Sequence, residues 1–257
     1  MQQLGRTKWA RVLACSLVTM SSVACSRARP DEPAPAPAPA QPPSVVNYSY
    51  KVVQSYPHDR RAFTQGLVYE DGVLYESTGL YGQSALAKRD LKTGRTLKIT
   101  RLAKKHFGEG ITIFRDKVIQ LTWQNKIGFV YRKDTFTLLQ EFTYPTEGWG
   151  ITHDGTRLIY SDGTTTLRFL DPNTFAETGR LEVRHEGRTV RYLNELEYVA
   201  PPPSGVIDSQ PGAAGPQIFA NVWPTDWIVM IDPKTGRVTG SIMRSEEHTS
   251  ELQSHHP

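Results

Sequence analysis

Cysteine is nearly missing from this chain of 257 residues: the two present, Cys15 and Cys25, both lie near the start. Whatever folds beyond them holds no internal disulfide and no thiolate metal site, so its stability rests on ordinary burial. Histidine offers no substitute. His58, His106, His153 and His185 are widely spread and show no zinc-ligand spacing. Charge is equally thin, with a formal net charge of +4. No basic block with interleaved aromatics appears, which argues against nucleic acid as a partner. A sustained helical period is missing too. The one apolar stretch near the start, Val12–Ala24, is too short and too polar for a membrane-spanning helix.

What is present begins with an export pattern over residues 1–24. Arg6, Lys8 and Arg11 make a basic start, an apolar stretch follows, and a small residue precedes Cys25. Ser22-Val23-Ala24-Cys25 resembles the bacterial lipoprotein cleavage box, with Cys25 as the lipidated residue. That reading puts the mature protein in the periplasm or cell envelope, touching a membrane only through a lipid anchor; plain secretion is the alternative. Residues 25–44, dominated by Pro and Ala, cannot bury a core and tend toward extended conformations. They read as a spacer, or as a leader without function. At the other end, residues 244–257 break the preceding pattern. RSEEHTSELQS resembles the translation of a sequencing-adapter oligonucleotide, so this tail is expected to be non-native; a natural polar tail is the alternative.

Between these ends, residues 45–243 are rich in strand and turn signals and carry a long-period repeat. Its starts are FTQGLVY at Phe63, FGEGITIF at Phe107, GWGITHD at Gly148 and LNELEYV at Leu193. Gly66, Gly110, Gly150 and Glu195 hold matching places, at spacings of 44, 40 and 45 residues. Each start is followed by a second strand, then by a third running into a turn with Asp and Thr: Asp90-Leu-Lys-Thr-Gly, Asp134-Thr-Phe, Asp171-Pro-Asn-Thr and Asp232-Pro-Lys-Thr-Gly. A fourth strand closes each unit, as at Thr96–Arg101 and Leu138–Thr143.

Four strands per repeat of this length make the blade of a β-propeller. First strands of successive blades line a central channel, so residues at their mouths converge on one face. Four blades are legible. Val45–Pro57 alternates like a strand without a blade of its own and is expected to complete the last blade. The expected architecture is therefore all-β, a five-bladed propeller whose fifth blade is truncated here. Ala200–Gln217, rich in Pro and Gly, reads as a surface insertion in a hairpin.

The mouth at Phe107–Thr112, FGEGIT, sets a single carboxylate, Glu109, between two glycines behind an aromatic residue. FTQGL, ESTGLYG, FGEGIT, LTWQ, EGWGIT, LNELEYV and NVWPTD, in this order, resemble the plant-type and bacterial glutaminyl-peptide cyclotransferases, or glutamine cyclotransferases. The resemblance covers about Tyr48 to Ile242. It implies a five-bladed propeller that converts an N-terminal glutamine of a peptide or protein to pyroglutamate with release of ammonia. It implies a monomer and no required cofactor, with a structural calcium in the channel left open.

The resemblance also implies a site. The family's catalytic glutamate falls on Glu109, and its pocket positions on Phe63, Gln65, Phe107, Trp123, Trp149, Asn194 and Trp223. Glu76 of ESTG either orients the substrate amine or makes a structural hydrogen bond. A fifth start of LNGIA type and a lysine in a TGK-like motif, both belonging to the family, have no counterpart in this sequence.

The chemistry is intramolecular: the α-amine attacks the side-chain amide carbon. A single carboxylate can carry the proton from the amine to the leaving ammonia if its pKa suits both steps. An aromatic setting raises such a pKa by desolvation, and indole N–H groups and Asn194 are candidate donors to the amide oxygen. Two other readings compete: a non-catalytic propeller that binds peptides or scaffolds envelope proteins, and a calcium-dependent lactonase propeller. The second needs several carboxylates converging on the channel, where these strand mouths give mostly glycines and aromatics.

Overall fold

The computed structural model describes residues 44–201 and 215–244, all within one unit. The export segment with Cys25, the Pro/Ala linker, most of the Ala200–Gln217 insertion and all of the tail but Arg244 lie outside the described residues. Among those described there are strands and turns and no helix.

Four sheets follow the repeat. The first blade is β2 (Thr64–Glu70), β3 (Val73–Thr78), β4 (Ala85–Asp90) and β5 (Thr96–Arg101). The second is β6 (Gly108–Phe114), β7 (Lys117–Thr122), β8 (Ile127–Arg132) and β9 (Leu138–Thr143). The third is β10 (Ile151–His153), β11 (Leu158–Tyr160), β12 (Thr166–Leu170) and β13 (Glu177–Glu182). The fourth is β16 (Leu193–Val199), β17 (Gln217–Val222), β18 (Trp227–Ile231) and β19 (Val238–Met243). Within each blade successive strands pair antiparallel, as short turns dictate. Between the third and fourth blades lies a small hairpin absent from the sequence reading, β14 (Arg184–His185) with β15 (Arg188–Thr189).

The turns form as their residues demand. Asp90 Oδ1 accepts from the Thr93 backbone N–H at 2.8 Å, Asp171 Oδ1 from Thr174 N–H at 2.8 Å, and Asp232 Oδ1 from Lys234 N–H at 2.8 Å. These side chains satisfy backbone donors that a tight turn leaves unpaired. The insertion does sit in a hairpin, because Val199 at the end of β16 pairs with Gln217 at the start of β17.

One expectation is corrected. The segment Val45–Pro57 does not complete a fifth blade. Only β1 (Val46–Tyr48) is a strand, and it runs parallel to β19, pairing Val46 with Gly240 and Tyr48 with Ile242. The fourth sheet thereby has five strands. The physical reason is the outer edge of β19, whose backbone groups would otherwise stand unpaired. Ser241 Oγ donates to Asn47 Oδ1 at 2.7 Å and fixes the register.

Burial is deepest in the second blade, where every residue of the inner strand β6 is buried; the inner strand β2 of the first blade is mostly exposed or half-buried, and its outermost strand β5 has exposed and half-buried positions only. The blades hold together face to face. One apolar cluster joins blades one and two through Tyr75, Leu86, Ile111 and Val118. A second joins two and three through Ile119, Leu121, Leu158 and Tyr160. A third joins three and four through Ile159, Leu167, Leu193 and Ile218. Each fully buried aliphatic side chain of this kind contributes about 1.5–3 kcal/mol.

The innermost strands pack in the order β2, β6, β10, β16, and the matching glycines explain how closely. A Cβ on Gly66 would lie 2.8 Å from Gly110 Cα, and one on Gly110 would lie 2.7 Å from Gly150 Cα. A Cβ on Gly150 would lie 2.6 Å from Glu195 Cα. Backbone meets backbone at each step, which only glycine permits. The row ends in Glu195, the one member with a side chain.

Candidate active site

The strand mouths of all four blades meet around a cavity of about 340 Å³ lined by Phe63, Gln65, Phe107, Glu109, Trp123, Trp149, Asn194 and Trp223. Its size suits one residue of a peptide with its neighbouring backbone. Phe63 and Gln65 come from the entry of β2, Phe107 and Glu109 from the entry of β6, and Trp123 follows β7. Trp149 precedes β10, Asn194 lies on β16 and Trp223 follows β17.

The aromatic wall has two halves. Phe107 sits edge-on to Phe63, Tyr81 and Trp123, with centroid distances of 6.2, 5.5 and 5.6 Å. Trp223 sits edge-on to Trp149 at 6.0 Å and to Tyr192 at 6.3 Å. Such contacts follow the ring quadrupoles and hold the rings at fixed angles. Gly79 gives Phe107 its place: a Cβ there would lie 2.4 Å from the ring.

Glu109 is the acid of this cup, 5% exposed. Its Oε1 accepts one side-chain hydrogen bond, from Gln65 Nε2 at 3.2 Å. Burial pushes its carboxyl up to about 9; the Gln65 bond works against that and the nearby Glu147 carboxylate adds to it. At neutral pH this acid keeps its proton.

A second carboxyl stands near it, on the half-buried residue Glu195 of β16. Glu195 Oε1 accepts from the Leu67 backbone N–H at 3.4 Å, reaching from the fourth blade to the first. Its Oε2 is enclosed without a hydrogen-bond partner. Burial drives this carboxyl well above the usual range; the Leu67 bond opposes that, and Glu109 and Glu197 reinforce it. Glu195 therefore fills the place of the fourth glycine with an acid whose carboxyl is held above the usual carboxylate range.

Two expectations change. Glu76 does not line the cup. It is fully buried within blade one, paired with Arg89 and hydrogen-bonded by Thr64 Oγ1 at 2.6 Å and His58 Nε2 at 2.8 Å. Of its two readings the structural one holds, because its strand faces it toward Arg89 on the neighbouring β4. The indoles of Trp123 and Trp149 are not free donors either. Both N–H groups point at one oxygen, Glu147 Oε2, at 2.7 and 3.0 Å. Glu147, Glu195, Tyr81 and Tyr192 are the site's contributors that sequence reasoning did not single out. Glu147 and Tyr81 lie inside the quoted EGWGIT and ESTGLYG motifs, and Glu195 breaks the glycine series; nothing comparable marks Tyr192. Among the described residues, no group of three or more His, Cys, Asp or Glu side chains could hold a metal ion.

Comparison with known proteins places the chain in one family. The family model described as glutamine cyclotransferase matches residues 17–256. A curated protein of Arabidopsis thaliana named glutaminyl-peptide cyclotransferase is 39% identical over 208 residues, which is 80% of this chain and 60% of that protein. The chain thus spans about 60% of that relative's length. The crystal structure of Myxococcus xanthus glutaminyl cyclase superposes with a TM-score of 0.68 at 31% identity, covering 83% of this chain and 85% of that one.

Proposed function

Because the chain belongs to the glutamine cyclotransferase family, we propose that it is a glutaminyl-peptide cyclotransferase. Its substrates are peptides or proteins that begin with glutamine. The observation that carries this reading is Glu109, a protonated acid at the floor of an aromatic cup sized for a single residue.

The α-amine nitrogen bonds to the glutamine side-chain carbonyl carbon, the bond from that carbon to the amide nitrogen breaks, and ammonia leaves. One proton must travel from the amine to the departing nitrogen. A free α-amino group titrates at roughly 7.7–8.0, close to the value of about 9 at Glu109. Transfer between the two is thus nearly balanced, which suits a group that gives its proton to the departing nitrogen and takes one back from the amine. Gln65, by bonding Glu109 Oε1, turns the carboxyl toward the cup. With the indoles of Trp123 and Trp149 engaged by Glu147, the side-chain amide of Asn194 and the indole of Trp223 are the candidate donors to the developing oxyanion. The aromatic wall orients the substrate, and ring closure gains most from orientation because both reactants sit on one residue.

Further parts of the proposal rest on the sequence resemblance. The architecture is that of a five-bladed propeller whose fifth blade is truncated here, and the family's lysine has no counterpart in this sequence. The enzyme acts as a monomer in the periplasm or cell envelope, held by a lipid on Cys25, or is secreted. No cofactor takes part in the step above, and a channel calcium would serve structure alone.

The test is ammonia release from a Gln-initiated peptide, with the matched Glu-initiated peptide as control, with and without a chelator. Release from the first alone, unchanged by chelator, is expected. No release from either would refute the activity and favour the peptide-binding propeller.

A further inference from the structure

Glu147 lies in the loop between β9 and β10, outside the ring of cup-lining side chains, and it is half-buried. Its Oε2 nevertheless takes the only N–H of two cup indoles, Trp123 at 2.7 Å and Trp149 at 3.0 Å. These tryptophans follow β7 of the second blade and precede β10 of the third. One oxygen therefore clips together the walls contributed by neighbouring blades. Each clipped ring in turn supports another: Phe107 leans edge-on against Trp123, and Trp223 against Trp149. Both halves of the aromatic wall hang on this carboxylate.

An indole has one polar atom, so fixing its N–H fixes the plane of the ring. Hydrogen bonds to a carboxylate are roughly twice as strong as neutral ones. Turned this way, the rings spend their N–H edges on Glu147 and leave their carbon surfaces to the cavity they line. Indole faces attract an ammonium group, the form in which a peptide N-terminus arrives. The same carboxylate opposes ionisation of Glu109.

We propose that Glu147 is a positioning residue: it orients Trp123 and Trp149 so that their faces receive the substrate's terminal ammonium. The choice of ligand rests on the cyclisation reading; the orientation of the two indoles does not. The titratable groups facing Glu109 are Glu147, Glu195 on β16 and the Tyr144 phenol; β2 faces it with uncharged Gln65.

The experiment compares Glu147→Gln and Glu147→Ala with the wild type in the full chain. The first keeps one carbonyl acceptor and loses the charge; the second loses both. Tryptophan emission and near-ultraviolet circular dichroism report the indoles without turnover. Glu147→Ala is expected to change both tryptophan signals and to raise KM about tenfold or more, with a smaller change in kcat. Glu147→Gln is expected to recover part of the tryptophan signal and of KM. Unchanged tryptophan signals in Glu147→Ala, or a KM close to that of the wild type, would overturn the proposal. A wild type that releases no ammonia while both spectroscopic results appear would refute the cyclisation reading and leave the positioning role established.

Discussion

Gln65 Nε2 on the first blade donates a hydrogen bond to Glu109 Oε1 on the second, at 3.2 Å and across 44 residues of sequence. It is the one bond that favours the ionised form of an acid otherwise held neutral by burial. Gln65→Leu removes it. Glu109 should then titrate at still higher pH, and the corresponding limb of the pH profile of kcat/KM should shift upward. A loss of about ten- to hundredfold in kcat/KM is expected, because a misaimed general acid loses most of its advantage. Steady-state kinetics across the pH range provides the check, and a limb that stays in place would dissociate Gln65 from the acid.

The same burial makes a statement about stability. Below pH 4.5, the ordinary value for Glu109, folded and unfolded chains both keep the proton. As pH climbs from there to about 9, the unfolded chain releases it and the folded chain does not. Stability is therefore lost across that window as pH rises. Glutamine has no such proton. Glu109→Gln should melt at least about 4 °C above the wild type at pH 8, since a gain of 1 kcal/mol shifts a domain of this size by roughly 2–4 °C. At pH 4 the two should melt together. Differential scanning calorimetry at both pH values tests this, and an equal gap at both would contradict the buried-proton account.

Glu76 provides the contrast. It is enclosed with Arg89, Thr64 and His58 and lies away from the cup. Removing one partner of a buried ion pair strands the other charge and costs about 3–5 kcal/mol. Glu76→Ala should show that loss in urea unfolding. Its pH profile, measured on the fraction that folds, should keep the wild-type shape. A shifted profile with little loss of stability would return Glu76 to the substrate.

The sequence made some of this legible and hid the rest for physical reasons. Gly66, Gly110 and Gly150 are readable because inner strands that touch backbone to backbone tolerate no side chain, so the repeat shows itself in composition. Phe63, Gln65, Phe107, Glu109, Trp123, Trp149, Asn194 and Trp223 all reached the same cavity because blade geometry fixes where strand mouths point. Glu147 was hidden because its role depends on which way two indoles turn, and sequence carries no ring orientation. Glu76 was ambiguous because its partner Arg89, two positions along β4 from Ala87, which stands opposite Glu76, is brought onto the same face only by the pairing of β3 with β4. The placement of β1 on β19 was misjudged because an alternating segment does not say which edge it will cover.

Ammonia release by Glu109→Gln from a Gln-initiated peptide tests the central claim most directly. The variant keeps the size and hydrogen-bonding capacity of the side chain and loses only the transferable proton. It should bind the peptide with an affinity close to that of the wild type and lose turnover by about 10²–10⁴-fold, the usual contribution of a positioned acid–base group. Turnover within a few-fold of the wild type, in a variant shown to be folded, would contradict the account.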